Sequence, residues 1–279
     1  MNNWTPKQAG FTLIEAIMVM TITAVLAAGV AVFLRKPIDG YRDLARRTEL
    51  SDIADTAVRR MSRDLHLALP NSIRLPSNRC MEFLPTKNGG RYRADVDASG
   101  GGNVFDTAVA LDKFDVLGPL SAAPLAGDLI VIYNLGIKGA DAYNMDNVAL
   151  VTSATASLIN IASKQFLFAS PGNRFHVVSG TEKAVAYVCT GTLGIDATTG
   201  NGTGSLVRAS AYGLNSADPI LCPATPIGTP ILAQNISACE FAYSSGVTER
   251  SGLISIRLAI SKNNETVNLY QEVHVNNVP

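Results

Sequence analysis

The chain has 279 residues, of which 47% are hydrophobic, and its 23 basic residues balance its 23 acidic residues. This length is sufficient for one sizeable hydrophobic core in addition to a membrane segment. The formal neutrality argues against a generally basic surface for nucleic acid.

The first element is an uncharged segment near the N-terminus. Residues Ala16 to Leu34 are nineteen consecutive positions without a formal charge, and they directly follow Glu15. As a helix this segment spans roughly 28 Å, close to the hydrocarbon thickness of a bilayer. An unpaired carboxylate in hydrocarbon costs roughly 2.5 to 3.5 kcal/mol, so we expect Glu15 to have a partner.

Three interpretations fit such an N-terminus: a secretory signal peptide, a plain signal anchor and a prepilin signal. A signal peptide has positive residues first, then a short apolar core and a small-residue cleavage site. Here Lys7 and Gly10 precede the apolar run, and neither of the first two interpretations explains Glu15. The sequence Gly10-Phe11-Thr12-Leu13-Ile14-Glu15 instead resembles the cleavage and methylation signal of type IV prepilins and pseudopilins.

That resemblance implies that a membrane prepilin peptidase cuts after Gly10 and methylates the new amine of Phe11. It also implies that the Glu15 carboxylate pairs with the N-terminal amine of a neighbouring subunit in the apolar core of a filament. Removing one member of a buried charge pair costs roughly 3 to 5 kcal/mol. Glu15 is therefore the candidate assembly residue.

Charge counting and the prepilin signal predict different membrane orientations. Arg35 and Lys36 follow the apolar run while only Lys7 precedes it, which mildly favours an outside N-terminus. Large domains, however, are exported largely regardless of such charges. The resemblance places a leader peptide, residues 1–10, in the cytoplasm and the remainder beyond the inner membrane, in the periplasm.

A long helix is predicted in two parts, a transmembrane or filament-core part over 11–36 and an amphipathic spine over 37–70. Pro37 and Gly40 predict a kink or a short break between them. Pro70 predicts the end of the helix. Apolar residues recur at spacings of three and four along the spine: Leu50, Ile53, Ala54, Ala57, Met61, Leu65 and Leu69. The arginines between them alternate with acids, which favours a solvated face over a nucleic-acid patch.

The remainder, 71–279, is predicted to be a β-rich periplasmic domain, so the fold class is α+β with an antiparallel sheet of pilin type. Several runs alternate in hydrophobicity and are bounded by turn residues. The predicted strands are Met81–Leu84, Asp128–Tyr133, Lys183–Val188, Ile254–Ile260 and Thr266–Tyr270. The last two are joined by Ser261–Glu265, which has the length of a hairpin loop, and should pair antiparallel.

Four cysteines, all after the membrane segment, predict disulfides in an exported domain. The preferred pairing is Cys189 with Cys222, closing the glycine-rich stretch Thr190 to Gly204, and Cys80 with Cys239. This pairing is the most economical in loops, and three connectivities are possible.

One loop has the spacing of an EF-hand calcium site. Positions one, three, five, six, nine and twelve of that pattern fall on Asp95, Asp97, Ser99, Gly100, Asn103 and Asp106. The twelfth residue is shorter than the usual glutamate, and no helix pair flanks the loop. A polar hairpin end is the favoured interpretation over a calcium site.

Catalytic motifs are absent from the sequence. There is no nucleophile elbow, no His-Glu-x-x-His helix and no P-loop. His66, His176 and His274 are interpreted as surface or structural residues. We expect no enzymatic activity and no cofactor other than the possible calcium ion.

A second resemblance narrows the expected function. Five segments resemble the MshO family of minor pilins, which serve the mannose-sensitive haemagglutinin (MSHA) pilus. These segments are Arg59–Leu65, Ala68–Arg74, Cys80–Thr86, Gly89–Arg93 and the C-terminal Glu272–Pro279. This implies a low-copy subunit that helps start or cap a filament, with other minor pilins and the major pilin as partners. A J-type pseudopilin of type II secretion is the near alternative. A tip adhesin would use the loops Asp95 to Asp106 and Thr190 to Gly204.

Overall fold

The computed structural model describes residues 10–217, 220–245 and 251–279. The chain forms two compact units, one ending at Glu49 and one spanning Leu50–Pro279. A single helix, α1 (Leu13–His66), continues from the first unit into the second. Helix and antiparallel strands together confirm the predicted α+β class.

The first unit consists of the N-terminal part of α1. The helix is continuous across Pro37 and Gly40, so Pro37 lies inside it and the predicted short break is absent. A proline removes one backbone donor, and the hydrogen bonds on either side can continue the helix as a bend. The change predicted near residue 37 is therefore one of composition, not of secondary structure.

In the second unit one face of α1 is buried, as its spacing predicted. Leu50, Ala54, Met61 and Leu65 are each at most 1% exposed. The helix ends at His66, four residues before Pro70. It ends early because the residues after His66 pair with residues 84–86: Leu69 N donates to Leu84 O at 2.8 Å, and Thr86 N donates to Leu67 O at 2.7 Å.

A seven-stranded antiparallel sheet packs against this face of α1. Its strand order is β1-β2-β9-β10-β11-β12-β13. The strands are β1 (Arg74–Ser77), β2 (Cys80–Phe83), β9 (Val185–Thr190), β10 (Gly204–Ser210), β11 (Ile231–Ser244), β12 (Gly252–Lys262) and β13 (Glu265–Val275). Leu50, Met61, Phe83, Tyr187 and Ile256 belong to the hydrophobic core between helix and sheet.

A closed six-stranded barrel lies between β2 and β9 in the sequence, in the order β3-β4-β7-β6-β5-β8. Its strands are β3 (Thr86–Tyr92), β4 (Leu111–Leu117), β5 (Leu129–Ile132), β6 (Val148–Ala154), β7 (Leu158–Lys164) and β8 (Arg174–Val178). A short 3-10 helix, Ala142–Asn144, precedes β6. An aromatic core fills the barrel and includes Tyr92, Phe105, Phe114, Phe166 and Phe175. The β-rich domain therefore has two hydrophobic cores, whereas the sequence predicted a single one.

All five predicted strands are present; the ends of four lie within two residues of the predicted ones, and the last strand continues five residues further than predicted. The hairpin of β12 and β13 is also confirmed, with continuous register from Gly252↔Val275 to Lys262↔Glu265. Its loop is shorter than predicted, because Asn263 and Asn264 alone make the turn at φ 50° and 64°. Positive φ at both central residues is typical of a type I′ hairpin turn.

Candidate functional site

The segment around the predicted processing site is the N-terminal end of α1. Gly10 and Phe11 precede the helix, and Phe11 is 81% exposed. Residues 1–9, which form the rest of the predicted leader, lie outside the described part of the chain. The bond between Gly10 and Phe11 is therefore in exposed, non-helical chain directly before the first helical turn, where a peptidase can reach the backbone.

Thr12 and Glu15 cap this first turn reciprocally. Glu15 N donates to Thr12 Oγ1 at 3.4 Å, while Thr12 Oγ1 and Thr12 N donate to Glu15 Oε2 at 3.3 and 3.4 Å. This is a capping box, in which a threonine and a glutamate three residues later satisfy each other's backbone donors. Sequence reasoning missed this second role of Glu15, although the Thr-x-x-Glu spacing signals it.

The helix that follows is apolar on every side. Leu13–Phe33 is 21 residues long with a mean hydropathy of 2.4, and none of it is buried within the protein. Ile17, Val25 and Phe33 are between 53% and 80% exposed. A helix that is hydrophobic all round belongs in lipid or in a protein core. It is consistent with membrane anchoring by a single N-terminal helix, as in pilins.

Glu15 is the one acid in this apolar helix end, and it is exposed. Across residues 10–217, 220–245 and 251–279, no basic side chain lies within ion-pair distance of it. Within these same ranges the Glu15 carboxylate accepts only the weak hydrogen bonds from Thr12. The carboxylate therefore remains available for a cation supplied by another molecule.

The calcium hypothesis finds no support in the loop that suggested it. Asp97 Oδ1 accepts hydrogen bonds from Ser99 N, Ser99 Oγ and Gly101 N, and these bonds lower the pKa of Asp97. Asp106 Oδ1 accepts from Ala108 N at 2.8 Å. Each carboxylate thus caps its own turn. Among the described residues no group of three or more His, Cys, Asp or Glu is placed to hold a metal ion.

The asparagine of that pattern is engaged as well. Asn103 N and Nδ2 both donate to Asp115 on β4, at 3.0 and 2.8 Å. Arg93 Nε reaches the same carboxylate at 3.1 Å. Asn103 therefore anchors the loop to the barrel, and Asp95 is exposed at the surface.

The cysteine pairing differs from the predicted one. Cys189 on β9 is bonded to Cys239 on β11, whereas Cys80 and Cys222 are free thiols. Neither predicted pair forms, because β9 and β11 flank β10 in the sheet and bring Cys189 and Cys239 to a Cα separation of 6.4 Å. Cys80 is buried and Cys222 is exposed near Ser77, at 3.6 Å from Ser77 Oγ to Cys222 Sγ.

Cys80 has an unusual setting for a thiol. Burial raises its pKa well above the ordinary value, and the neighbouring Cys222 thiol and Glu82 carboxylate raise it further. A thiol with a raised pKa is a poor nucleophile. Cys80 is therefore a poor nucleophile near neutral pH.

A buried acid, Glu82, lies on the sheet face away from α1. It is fully buried, forms an ion pair with Arg74, and accepts a hydrogen bond from Tyr212 Oη at 2.7 Å. The Arg74 guanidinium also stacks on Tyr143, 3.4 Å from the ring centroid. Every charge in this cluster has a partner, which is the pattern of a structural network.

The three histidines lie on separate elements: His66 ends α1, His176 is on barrel strand β8, and His274 is on β13. His66 and His274 are exposed, and His176 is half-buried. Burial lowers the pKa of His176, and the nearby Arg174 lowers it further, so His176 is neutral at pH 7. These placements agree with the interpretation of the histidines as surface or structural residues.

Comparison with known proteins identifies the N-terminal segment. A family model for the prokaryotic N-terminal methylation motif matches residues 5–31. No curated protein and no solved structure matches the chain. The motif and the exposed apolar helix support a pilin-type protein, a substrate of prepilin peptidase that is type IV pilin-like or a pseudopilin. Processing by that peptidase and assembly with pilus partners follow from the motif in general terms.

Proposed function

We propose that this protein is a minor pilin that helps to initiate or cap assembly of an MSHA-like type IV pilus. The observation that carries the proposal is Glu15, an acid without a cationic partner among the described residues at the start of an apolar helix. A charge in that position is costly in lipid, and a neighbouring subunit's amine would remove the cost. The function is structural and requires no catalysis.

The proposed sequence of events begins in the inner membrane. The N-terminal helix holds the precursor there, with residues 1–10 in the cytoplasm and the β-rich unit in the periplasm. Prepilin peptidase removes the leader and methylates Phe11. Glu15 then pairs with the amine of an adjacent subunit, and α1 packs with the helices of other minor pilins and the major pilin.

A position at the tip is favoured by the size of the second unit. Leu50–Pro279 combines a seven-stranded sheet with a six-stranded barrel. A bulky unit of this kind would crowd a repetitive shaft, whereas the end of a filament has room for it. A minor pseudopilin of type II secretion shares this reasoning and is the alternative.

The variant Glu15→Gln tests the role of the charge. Glutamine at this position of a capping box still bonds to the N-cap residue, so the first turn of α1 is preserved while the charge is lost. We expect cleavage after Gly10 to continue and recovery of the protein in sheared filaments to fall at least tenfold. Thr12→Val, which removes the cap and keeps the charge, is the control. Normal recovery of Glu15→Gln in filaments would refute the pairing.

A deletion strain separates the candidate functions. Loss of surface filaments indicates an assembly role, and normal numbers of non-adherent filaments indicate a tip adhesin, which would use loops such as Asp95 to Asp106. Loss of protein secretion with normal pili indicates the pseudopilin alternative. Electron microscopy and a secretion assay on the same strain provide all three readouts.

A further inference from the structure

Two arginines face each other across adjacent strands of the barrel. Arg91 on β3 and Arg174 on β8 are direct register partners. Both are exposed, while the next residues along each strand, Tyr92 and Phe175, are buried in the barrel core. Because side chains alternate across a strand, both guanidinium groups lie on the outer face of the barrel.

This arrangement is unfavourable for the protein alone. Like charges directly opposite each other in an antiparallel pair are destabilising. In the described part of the chain, neither Arg91 nor Arg174 has a carboxylate within 4.0 Å. Other arginines of the same unit do have such partners, since Arg93 pairs with Asp115 and Arg208 with Asp64. The opposed pair is therefore a concentrated positive site without an internal counter-ion.

The two arginines line a groove of about 570 Å³ on the barrel surface. Gly89, two residues before Arg91 and therefore on the same face of β3, leaves its floor without a side chain, and a Cβ atom there would lie 3.0 Å from Phe175 O. Gly90 faces the barrel core, where a Cβ atom would lie 3.0 Å from the Phe175 ring. Residues 117–121, from the end of β4 onward, also line the groove. The groove is open and large enough for several sugar units.

We propose that this groove binds the oxyanion groups of an acidic polysaccharide, held between Arg91 and Arg174. Guanidinium groups bind carboxylate and sulfate through paired N–H donors. Ser121 and Gly89 line the same groove and supply a hydroxyl and backbone groups for sugar hydroxyls. Single-stranded nucleic acid is disfavoured, because its binding relies on exposed aromatic rings, whereas the two rings in this lining are the buried Phe175 and the half-buried His176. The inference does not depend on the proposed role in filament assembly.

Binding of defined oligosaccharides to the full chain in detergent tests the proposal. The probes are a heparin-derived oligosaccharide, which carries sulfate, an oligogalacturonate, which carries carboxylate alone, and a single-stranded oligonucleotide of equal charge. We expect saturable binding of at least one saccharide and a Kd that rises at least tenfold in Arg91→Gln/Arg174→Gln. The control Arg79→Gln/Arg257→Gln removes the same charge from two exposed positions of the seven-stranded sheet, the β1–β2 turn and strand β12. It should change the Kd less than twofold.

A measurement without ligand complements the binding assay. Since Arg91 and Arg174 repel each other, Arg91→Gln should raise the melting temperature of the unliganded protein or leave it unchanged. Equal loss of binding in the two double variants, tighter binding of the oligonucleotide, or no saccharide binding at millimolar concentration would each overturn the proposal. A marked fall in the melting temperature of Arg91→Gln would also overturn it, because the arginine would then be structural.

Discussion

Arg208 on β10 donates from Nε to Asp64 Oδ2 on α1 at 2.9 Å, and Tyr187 Oη donates to the same oxygen at 2.6 Å. Glu182 accepts from Arg208 Nη1 at 2.8 Å. These contacts join the last turns of the helix to the middle of the sheet. Burial raises the pKa of Tyr187, and the bond to Asp64 raises it further, so the tyrosine stays a donor.

Replacing the shared acceptor should destabilise the second unit. The side chains of Asp64 and Arg208 are 19% and 14% exposed, so Asp64→Asn removes one of the two carboxylates that face a largely buried guanidinium and leaves Glu182 as the other. It also replaces the charged acceptor of the Tyr187 hydroxyl with a neutral one. Because hydrogen bonds to charged groups contribute more than neutral ones, we expect a loss of about 2 kcal/mol in the free energy of unfolding. Denaturant unfolding of the full chain in detergent, followed by near-ultraviolet circular dichroism, measures it.

The matched control lies on the same helix. Asp55 and Arg59 form an ion pair at 2.5 Å, with side chains 51% and 76% exposed. An exposed pair contributes about 0.5 kcal/mol or less, so Asp55→Asn should be nearly neutral. Equal effects of Asp55→Asn and Asp64→Asn would show that the contact with β10 does not fasten the helix.

Local patterns predicted the helix and the hairpin because their signals lie within a few residues. The apolar face of α1 depends on spacings of three and four, and the β12–β13 turn depends on Asn263 and Asn264. The end of the helix at His66 was missed, because it is set by backbone pairing with residues 84–86. That pairing is tertiary, and the sequence near Pro70 carries no sign of it.

The barrel and the disulfide depend on contacts between distant residues. Closure of the barrel pairs β3 with β8, whose partners Arg91 and Arg174 are far apart in sequence. The disulfide joins strands on either side of β10, so its pairing follows from sheet order. Loop economy favoured other cysteine pairs, since spacing alone contains no information on strand order. The N-terminal methylation motif, in contrast, is entirely local, and the family model that matches residues 5–31 supports it.

The disulfide should contribute strongly to stability. Cys189 and Cys239 are 50 residues apart, and closing a loop of that size contributes about 4 kcal/mol in the chain-entropy treatment. We expect Cys189→Ala/Cys239→Ala to lose about this amount in denaturant unfolding. Cys222→Ser, at an exposed free thiol, should change the free energy of unfolding by less than about 0.5 kcal/mol. Similar stabilities for these two variants would contradict the assigned bond.

Thiol labelling tests the cysteine assignment independently of stability. A maleimide reagent at neutral pH should modify exposed Cys222 in the native protein and leave Cys80 unmodified, because Cys80 is buried and its pKa is raised. Unfolding without reductant should reveal both thiols, as measured by mass spectrometry. Finding four reactive thiols would exclude the disulfide, and finding none would show that Cys80 and Cys222 are bonded to each other.

Acid should weaken the barrel through Asp128, which immediately precedes β5. Burial opposes ionisation of this side chain, but hydrogen bonds from Gly180 N, Lys87 Nζ and Leu125 N outweigh it and lower its pKa below the ordinary value of 3.8. A carboxylate with a lowered pKa in the folded state stabilises the protein fully above the unfolded pKa. That stabilisation is lost as the pH falls from 3.8 through the folded pKa. Asp128→Asn should therefore cost about 2 kcal/mol at pH 7, and the difference in stability between this variant and the wild type should shrink below pH 4.

Thermal melting of both proteins between pH 2 and pH 7 measures this difference, with Asp112→Asn at an exposed position of β4 as the control. A difference between Asp128→Asn and wild type that stays constant down to pH 2 would show that the charge of Asp128 does not contribute to folding.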